Sequence, residues 1–125
     1  MNKKKYKILI VDDEKTAHQL YKLMLKPEGY ELLHAENGLE AVEMFSKHSD
    51  INLILMDIKM PIMDGYQASE RIRKNSKKVI IIAQTAYAMV KDKEKAFAVG
   101  CNEHLAKPIQ KTDLVKIIKK YYPNE

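Results

Sequence analysis

The chain has 125 residues, 46% of them hydrophobic, and a formal net charge of +5. That is enough for one domain, residues 1–125, with a real core, and too apolar for disorder. No apolar run approaches the roughly 20 residues that span a bilayer, so no membrane contact is expected. The N-terminal Met1-Asn-Lys-Lys-Lys-Tyr-Lys7 lacks the apolar stretch of a secretory signal. Cys101 is the single cysteine and forms no internal disulfide, which predicts a cytoplasmic protein. His18, His34, His48 and His104 lack metal-site spacing, so zinc is not expected. The lysines are spread over Lys3–Lys7, Lys74–Lys78, Lys91–Lys95 and Lys111–Lys120. They read as solvated termini and helix faces, and with no zinc-finger or aromatic-basic motif no nucleic-acid partner is expected.

Tyr6–Val11 is predicted to be a strand that runs into Asp12-Asp13-Glu14. Ala17, Leu20, Tyr21, Met24 and Leu25 then form one helical stripe, which Pro27-Glu28-Gly29 stops. Tyr30–Ala35 is the second predicted strand. Asn37 and Glu40 have the spacing of a helix cap, and Ala41, Val42 and Phe45 make the buried side of a second helix. Leu53–Met56 is an unbroken apolar run ending in Asp57, as in a parallel strand buried on both faces. Asp64-Gly65 after Pro61 reads as a turn before a short helix, Tyr66–Arg73. Val79–Ala83 is β-branched and apolar, and leads into Gln84-Thr85-Ala86. A charged helix, Val90–Val99, ends at Gly100. Asn102–Ala106 is a short fifth strand before Lys107-Pro108. Leu114, Ile117, Ile118 and Tyr121 stripe a last helix that runs to Tyr122. Five alternations of strand and helix predict an α/β fold, a single doubly wound parallel sheet of five strands in the order 2-1-3-4-5.

In such a sheet, ligands sit outside the carboxyl ends of the strands. Those ends carry Asp12 and Asp13, Asp57, Thr85 and Lys107. Singly, each has an ordinary explanation: the acids and Thr85 cap helices, and Lys107 lies on the surface. Together they make a chemically pointed set. Crowded carboxylates raise one another's pKa unless a cation relieves them, and Mg²⁺ suits a few carboxylates that also meet a phosphoryl group. Thr85 offers a hydroxyl and Lys107 a mobile charge for phosphoryl oxygens. Asp57 fits a carboxylate nucleophile that forms an aspartyl phosphate.

The segments Ile10-Val-Asp12-Asp13-Glu14, Leu55-Met-Asp57-Ile-Lys-Met-Pro61-Ile-Met-Asp-Gly65, Ile82-Ala-Gln-Thr85-Ala86 and Ala106-Lys107-Pro108 span nearly the whole chain. In this order they resemble the receiver domains of response regulators in two-component phosphorelays, and the pattern is similar to that of chemotaxis regulators. The resemblance implies a flavodoxin-like (βα)5 fold and a phosphoacceptor at Asp57. It implies Mg²⁺ bound by Asp13, Asp57 and the backbone carbonyl of Lys59, with Asp12 acting through water. Thr85 and Lys107 would contact the phosphoryl oxygens, and the Lys107–Pro108 bond is expected to be cis. The implied partner is a histidine kinase or a histidine phosphotransfer protein. The fourth helix, fifth strand and fifth helix would form the partner face, which also allows a homodimer. Ala83–Met89 with Asp92, Glu94-Lys-Ala96 and Gly100-Cys101 looks like receivers of hybrid sensor histidine kinases. A single-domain regulator is the other expected context.

Three positions depart from the family pattern or tune it. The family's aromatic switch residue, three before the lysine, is His104 here, paired in the switch with Thr85. An imidazole turned inward needs a polar partner, and a plain surface histidine is the competing reading. Lys59 and Tyr87, two residues beyond Asp57 and Thr85, flank the phosphoryl position and are expected to tune its lifetime; Tyr87 also reads as a half-exposed aromatic with no kinetic role. Asp64 is taken as a turn residue and not as a metal ligand, and Cys101 as a small buried residue. Two other functions fit the fold less well. An aspartate-nucleophile phosphatase of the haloacid dehalogenase type has a second acid where Lys59 stands. A flavin module needs a phosphate-cradling loop where Asp12-Asp13-Glu14 would repel phosphate.

Overall fold

The computed structural model describes residues 6–86 and 90–123, so Tyr87 lies outside the described residues. The strands are β1 (Lys7–Val11), β2 (Glu31–Ala35), β3 (Leu53–Asp57), β4 (Ile80–Thr85) and β5 (Glu103–Ala106). Between and after them come α1 (Lys15–Leu25), α2 (Gly38–Lys47), α3 (Gly65–Asn75), α4 (Val90–Ala98) and α5 (Lys111–Tyr121). All ladders are parallel and the order is β2-β1-β3-β4-β5, as the alternation predicts.

Period-2 alternation divides the strand side chains between two cores. Leu9, Val11, Ile54, Met56, Ile81 and Ala83 pack on one face with Ala41 and Phe45 of α2, Ala68 and Ile72 of α3, and Ala96 of α4. Ile8, Ile10, Leu53, Leu55 and Ile82 pack on the other with Tyr21 and Leu25 of α1, and Leu114 and Ile118 of α5. Both faces of β1 and β3 are therefore buried, which is why their sequences read as unbroken apolar runs.

Local chemistry moves several boundaries. Asp64 is the N-cap of α3: its side chain accepts from the Gln67 N–H while Gln67 reaches back to the Asp64 N–H, a full capping box. The turn expected at Asp64-Gly65 is thus the first step of a helix longer than Tyr66–Arg73. Asn37 caps α2 as expected. Pro27 does not end the first helix abruptly; Lys26–Glu28 continue as a 3₁₀ turn, and Gly29 leaves at φ +89°. Asn102 precedes β5 and serves as a clip. Its Oδ1 accepts from the Ile81 N–H at 2.8 Å and from Arg73 at 2.7 Å. In the first helical stripe, Leu20 is 47% exposed, whereas Tyr21 and Leu25 are buried.

Gly65 fixes how closely α3 approaches the end of β3. A Cβ there would stand 2.3 Å from the Asp57 carbonyl oxygen and 2.9 Å from the Ile58 Cα. Both are backbone atoms and cannot swing aside. Gly65→Ala should therefore destabilise the fold by about 1–3 kcal/mol in urea unfolding. Wild-type stability in that variant would show that α3 can retreat freely.

Candidate functional site

Each predicted strand-end residue reaches the same rim. Asp12 is fully buried, and Asp57 and Thr85 are each 4% exposed. Asp12, Asp13 and Asp57 each bring one carboxylate oxygen within 4.8 Å of the others. From the opposite side, Lys107 Nζ lies 3.2 Å from Asp12 Oδ2 and 3.2 Å from Asp57 Oδ1. The lysine follows β5, where its N–H donates to the Thr85 carbonyl at 2.8 Å, and the Lys107–Pro108 peptide is cis, as expected. Asp12 also acts locally: its Oδ1 accepts from the Glu14 N–H at 2.9 Å. Asp12 does not cap α1, whose N-cap is Glu14 without a side-chain cap bond; one of its oxygens holds the turn before the helix and the other faces Lys107.

An open cleft of about 810 Å³ adjoins the carboxylates and is lined in part by Asp13, Lys59, Pro61, Tyr66 and Thr85. Lys95 lies over the Tyr66 ring at 4.5 Å, closing one side with a cation–π contact. Asp64 also lines this cleft, but its side chain is committed to the α3 cap.

The electrostatics follow from burial. Asp57 is pushed up from 3.8 to about 6, first by desolvation and then by the nearby Asp12 charge, while Lys107 opposes the rise. Burial pulls Lys107 down, but Asp57 and Asp12 outweigh it and leave its pKa raised. One ammonium thus serves two carboxylates, and the third, Asp13, is exposed beside them. The donor set fits a hard divalent cation: oxygen ligands only, an excess of negative charge, and one side open to the cleft. His104 on β5 is half-buried. Its Nε2 is buried without a hydrogen-bond partner among the described residues, and burial lowers its pKa.

Two polar arrangements near the site escape sequence reasoning. His18 and His34 face each other with their Nδ1 atoms 2.8 Å apart, and His18 Nε2 lies 2.8 Å from the Asp12 carbonyl oxygen. Beneath the carboxylates, the Tyr21 hydroxyl donates to Gln84 Oε1. Gln84 had one visible signal: a polar residue two positions beyond Ile82, on the same inward face of β4. The histidine pair had none, since only the docking of α1 on β2 brings its members together.

A five-stranded sheet of this order, with acids at the ends of β1 and β3 and a lysine after β5, defines a doubly wound α/β protein whose charged side chains converge at one edge of the sheet. Residues 8–119 match the family model described as the response regulator receiver domain. The chain belongs to that family, whose members act in two-component phosphorelay signalling. Hybrid signal transduction histidine kinase B of Dictyostelium discoideum is 40% identical over 129 residues, covering 92% of this chain and 6% of the kinase. The chain thus spans under a tenth of that relative's length. The polar-differentiation response regulator DivK of Brucella anthropi is 32% identical over 116 residues, covering 91% of this chain and 94% of DivK. Among solved structures, one similar chain comes from the Saccharomyces cerevisiae co-crystal of the histidine phosphotransfer protein Ypd1 with the receiver domain of the response regulator Ssk1. It has a TM-score of 0.88 and 32% identity, and the match covers 94% of this chain and 88% of that one.

The Asp57 shift sets a stability test in metal-free buffer. An acid whose folded pKa lies above its unfolded value gains stability from its bound proton. That gain is whole below about 3.8 and is lost as pH rises through about 6. Asp57→Asn, which mimics the protonated form, should match wild type near pH 4 and exceed it by up to about 3 kcal/mol at pH 8. Equal or lower stability of the variant at pH 8 would refute the burial argument.

Proposed function

We propose that Asp57 is the phosphoacceptor of a Mg²⁺-dependent receiver that takes its phosphoryl group from a phosphohistidine. The observation that carries this reading is the convergence of Asp12, Asp13 and Asp57 within 4.8 Å, with Lys107 between Asp12 and Asp57. One Asp57 oxygen attacks phosphorus; the bond from phosphorus to the donor nitrogen breaks, and its electron pair leaves with the imidazole. The chain's share is orientation and charge. Lys107 turns from the carboxylates to the phosphoryl oxygens, and the Thr85 hydroxyl donates to another of them. Asp13, Asp57 and the Lys59 carbonyl would hold Mg²⁺, with Asp12 acting through water. When bound, the cation neutralises charge on the carboxylates and the transferred group.

The proposed partners are a histidine kinase or a histidine phosphotransfer protein, in the cytoplasm. Two findings favour this: the matched structure comes from a receiver–phosphotransfer complex, and the matched kinases are hybrid histidine kinases. On this reading the domain is a signalling switch and not an enzyme acting on an external substrate. Lys59 stands where a dehalogenase-type phosphatase has its second acid, which tells against that alternative. The proposed output face is α4, β5 and α5, available also for a homodimer. Lys59, which borders the cleft, and Tyr87 are proposed to tune the phosphoryl lifetime.

Incubation with acetyl phosphate and Mg²⁺, followed by mass measurement, tests the central claim. Wild type should gain a single base-labile phosphoryl group, and Asp57→Asn none. Lys107→Ala should slow transfer by roughly tenfold or more, as expected for loss of a charge-assisted contact. Labelling of the Asp57→Asn variant would sink the assignment.

Position 104 gives a second test, on the switch. Thr85 is proposed to move toward the phosphoryl group, and His104 to follow into the vacated space. Its buried Nε2, which has no partner among the described residues, would then find one there. Imidazole resonances of His104 should shift when Mg²⁺ and beryllofluoride are added together. Unchanged His104 signals in fully loaded protein would remove it from the switch.

A further inference from the structure

One buried polar pair lies apart from the cluster of acids and lysine. Gln84 is wholly buried on β4, and Tyr21 on α1 is 4% exposed. Their surroundings on that side of the sheet are apolar, with Ile10, Leu55, Ile82 and Leu114 in the same core. Tyr21 donates its hydroxyl proton to Gln84 Oε1. Gln84 Nε2 is buried and has no hydrogen-bond partner among the described residues. Folded proteins rarely strand a buried amide donor, because the lost hydration is not returned.

The register says what the amide faces. Gln84 is the partner of Asp57 in the β3–β4 ladder. Paired residues of neighbouring strands project to the same face, and the strands lie about 4.8 Å apart. The core residues Leu55 and Ile82, two positions earlier on each strand, point to the α1 and α5 side. Asp57 and Gln84 follow them on that side. The amide orientation agrees with the field. Asp12 and Asp57 favour the N–H end of the carboxamide toward themselves and leave Oε1 for the tyrosine. They also help hold Tyr21 in its protonated, donating form, after burial has done most of that work.

Lys107 is at present the cationic donor to Asp57 Oδ1, at 3.2 Å. The proposed phosphoryl transfer draws that lysine away at the moment the Asp57 carboxylate must keep its aim. We propose that Gln84, anchored by Tyr21, is a positioning residue for this transfer: its Nε2 donates to Asp57 as Lys107 turns to the phosphoryl group. One Asp57 oxygen bonds phosphorus as the donor leaves with the electron pair. The other becomes a carbonyl oxygen, with lone pairs for the amide as well as for the cation. Tyr21 matters because it fixes the carboxamide before the transfer, so no reorganisation is needed during it. This inference rests on Asp57 being the phosphoacceptor.

Nuclear magnetic resonance and transfer kinetics test it together. In ¹⁵N-labelled protein, Mg²⁺ with beryllofluoride should move the Gln84 Nε2 proton resonances downfield. The side-chain amide signals of Gln19 and Gln110 serve as reference. Gln84→Leu should slow transfer from acetyl phosphate at saturating donor by about tenfold while leaving the half-saturating concentration unchanged. Tyr21→Phe removes only a hydroxyl and should slow it by about threefold in the same manner. Should Gln84→Leu fail to fold, the Tyr21→Phe rates decide. Unmoved Gln84 amide signals in loaded protein overturn the inference, and so do wild-type maximal rates in the folded variants. A wild-type protein that takes no phosphoryl group on Asp57 refutes the phosphoacceptor reading itself, and this inference with it.

Discussion

The structure turns on a crowd of like charges with little access to water. Asp12 and Asp57 sit at the ends of adjacent strands, almost wholly buried, and one lysine spans the gap between them. Two ionised carboxylates at this spacing are unfavourable without a cation; burial first, and the Asp12 charge second, push the Asp57 carboxyl up to about 6 against the pull of Lys107. Only a rigid frame keeps such a pair together. The crossing order supplies it: β1 and β3 are neighbours at the centre, and β5, which leads into the lysine, lies two strands from β3.

The frame is rigid because both faces of the central strands are filled. Alternating residues of β1 and β3 enter two separate cores, so neither strand can slip by one residue without reversing its contacts. Close backbone approaches stiffen the rim further. Gly65 lets α3 start against the Asp57 carbonyl, and the Gly38 N–H donates to the Met63 carbonyl at 3.0 Å. The β3–α3 loop includes Ile62 at φ +71°, a costly conformation for a β-branched residue, held by the tight links on either side. Close backbone packing thus surrounds the point where the charge repulsion must be resisted.

Much of this is legible in the residue pattern. The strands, their parallel order and the strand-end residues follow from apolar runs, turn residues and the rule that parallel crossovers are right-handed. Boundaries fail where a side chain overrides the local pattern: Asp64 extends α3 by capping it, and Asn102 clips two elements and does not enter β5. Leu20 breaks the expected stripe because the sheet covers only one side of α1. Contacts between residues far apart in the chain are harder to read. Tyr21 looks like an ordinary core aromatic, and nothing in its helix points to Gln84, 63 residues later. His18 and His34 look equally unremarkable until α1 docks on β2. A period reports which face a residue occupies, not which polar atom it meets there.

The same placement ties the charged rim to the outer strands of the sheet. Lys107 is continuous with β5, and His104 lies on that strand three residues earlier, in register with Ala83 of β4. Thr85 ends β4, and its carbonyl accepts from the Lys107 N–H. Any ligand that draws on Lys107 and Thr85 therefore acts at the ends of two paired strands, and the half-buried His104 stands on one of them. Its buried Nε2, without a described partner, makes the resting arrangement less favourable than a state in which that atom is paired. Were such a ligand to shift the β4–β5 face, linkage would require the reverse as well: a partner that prefers the shifted face would raise the ligand's affinity by the same factor. The polar atoms of His104 and Gln84 that have no partner among the described residues lie on the two strands through which that coupling would run.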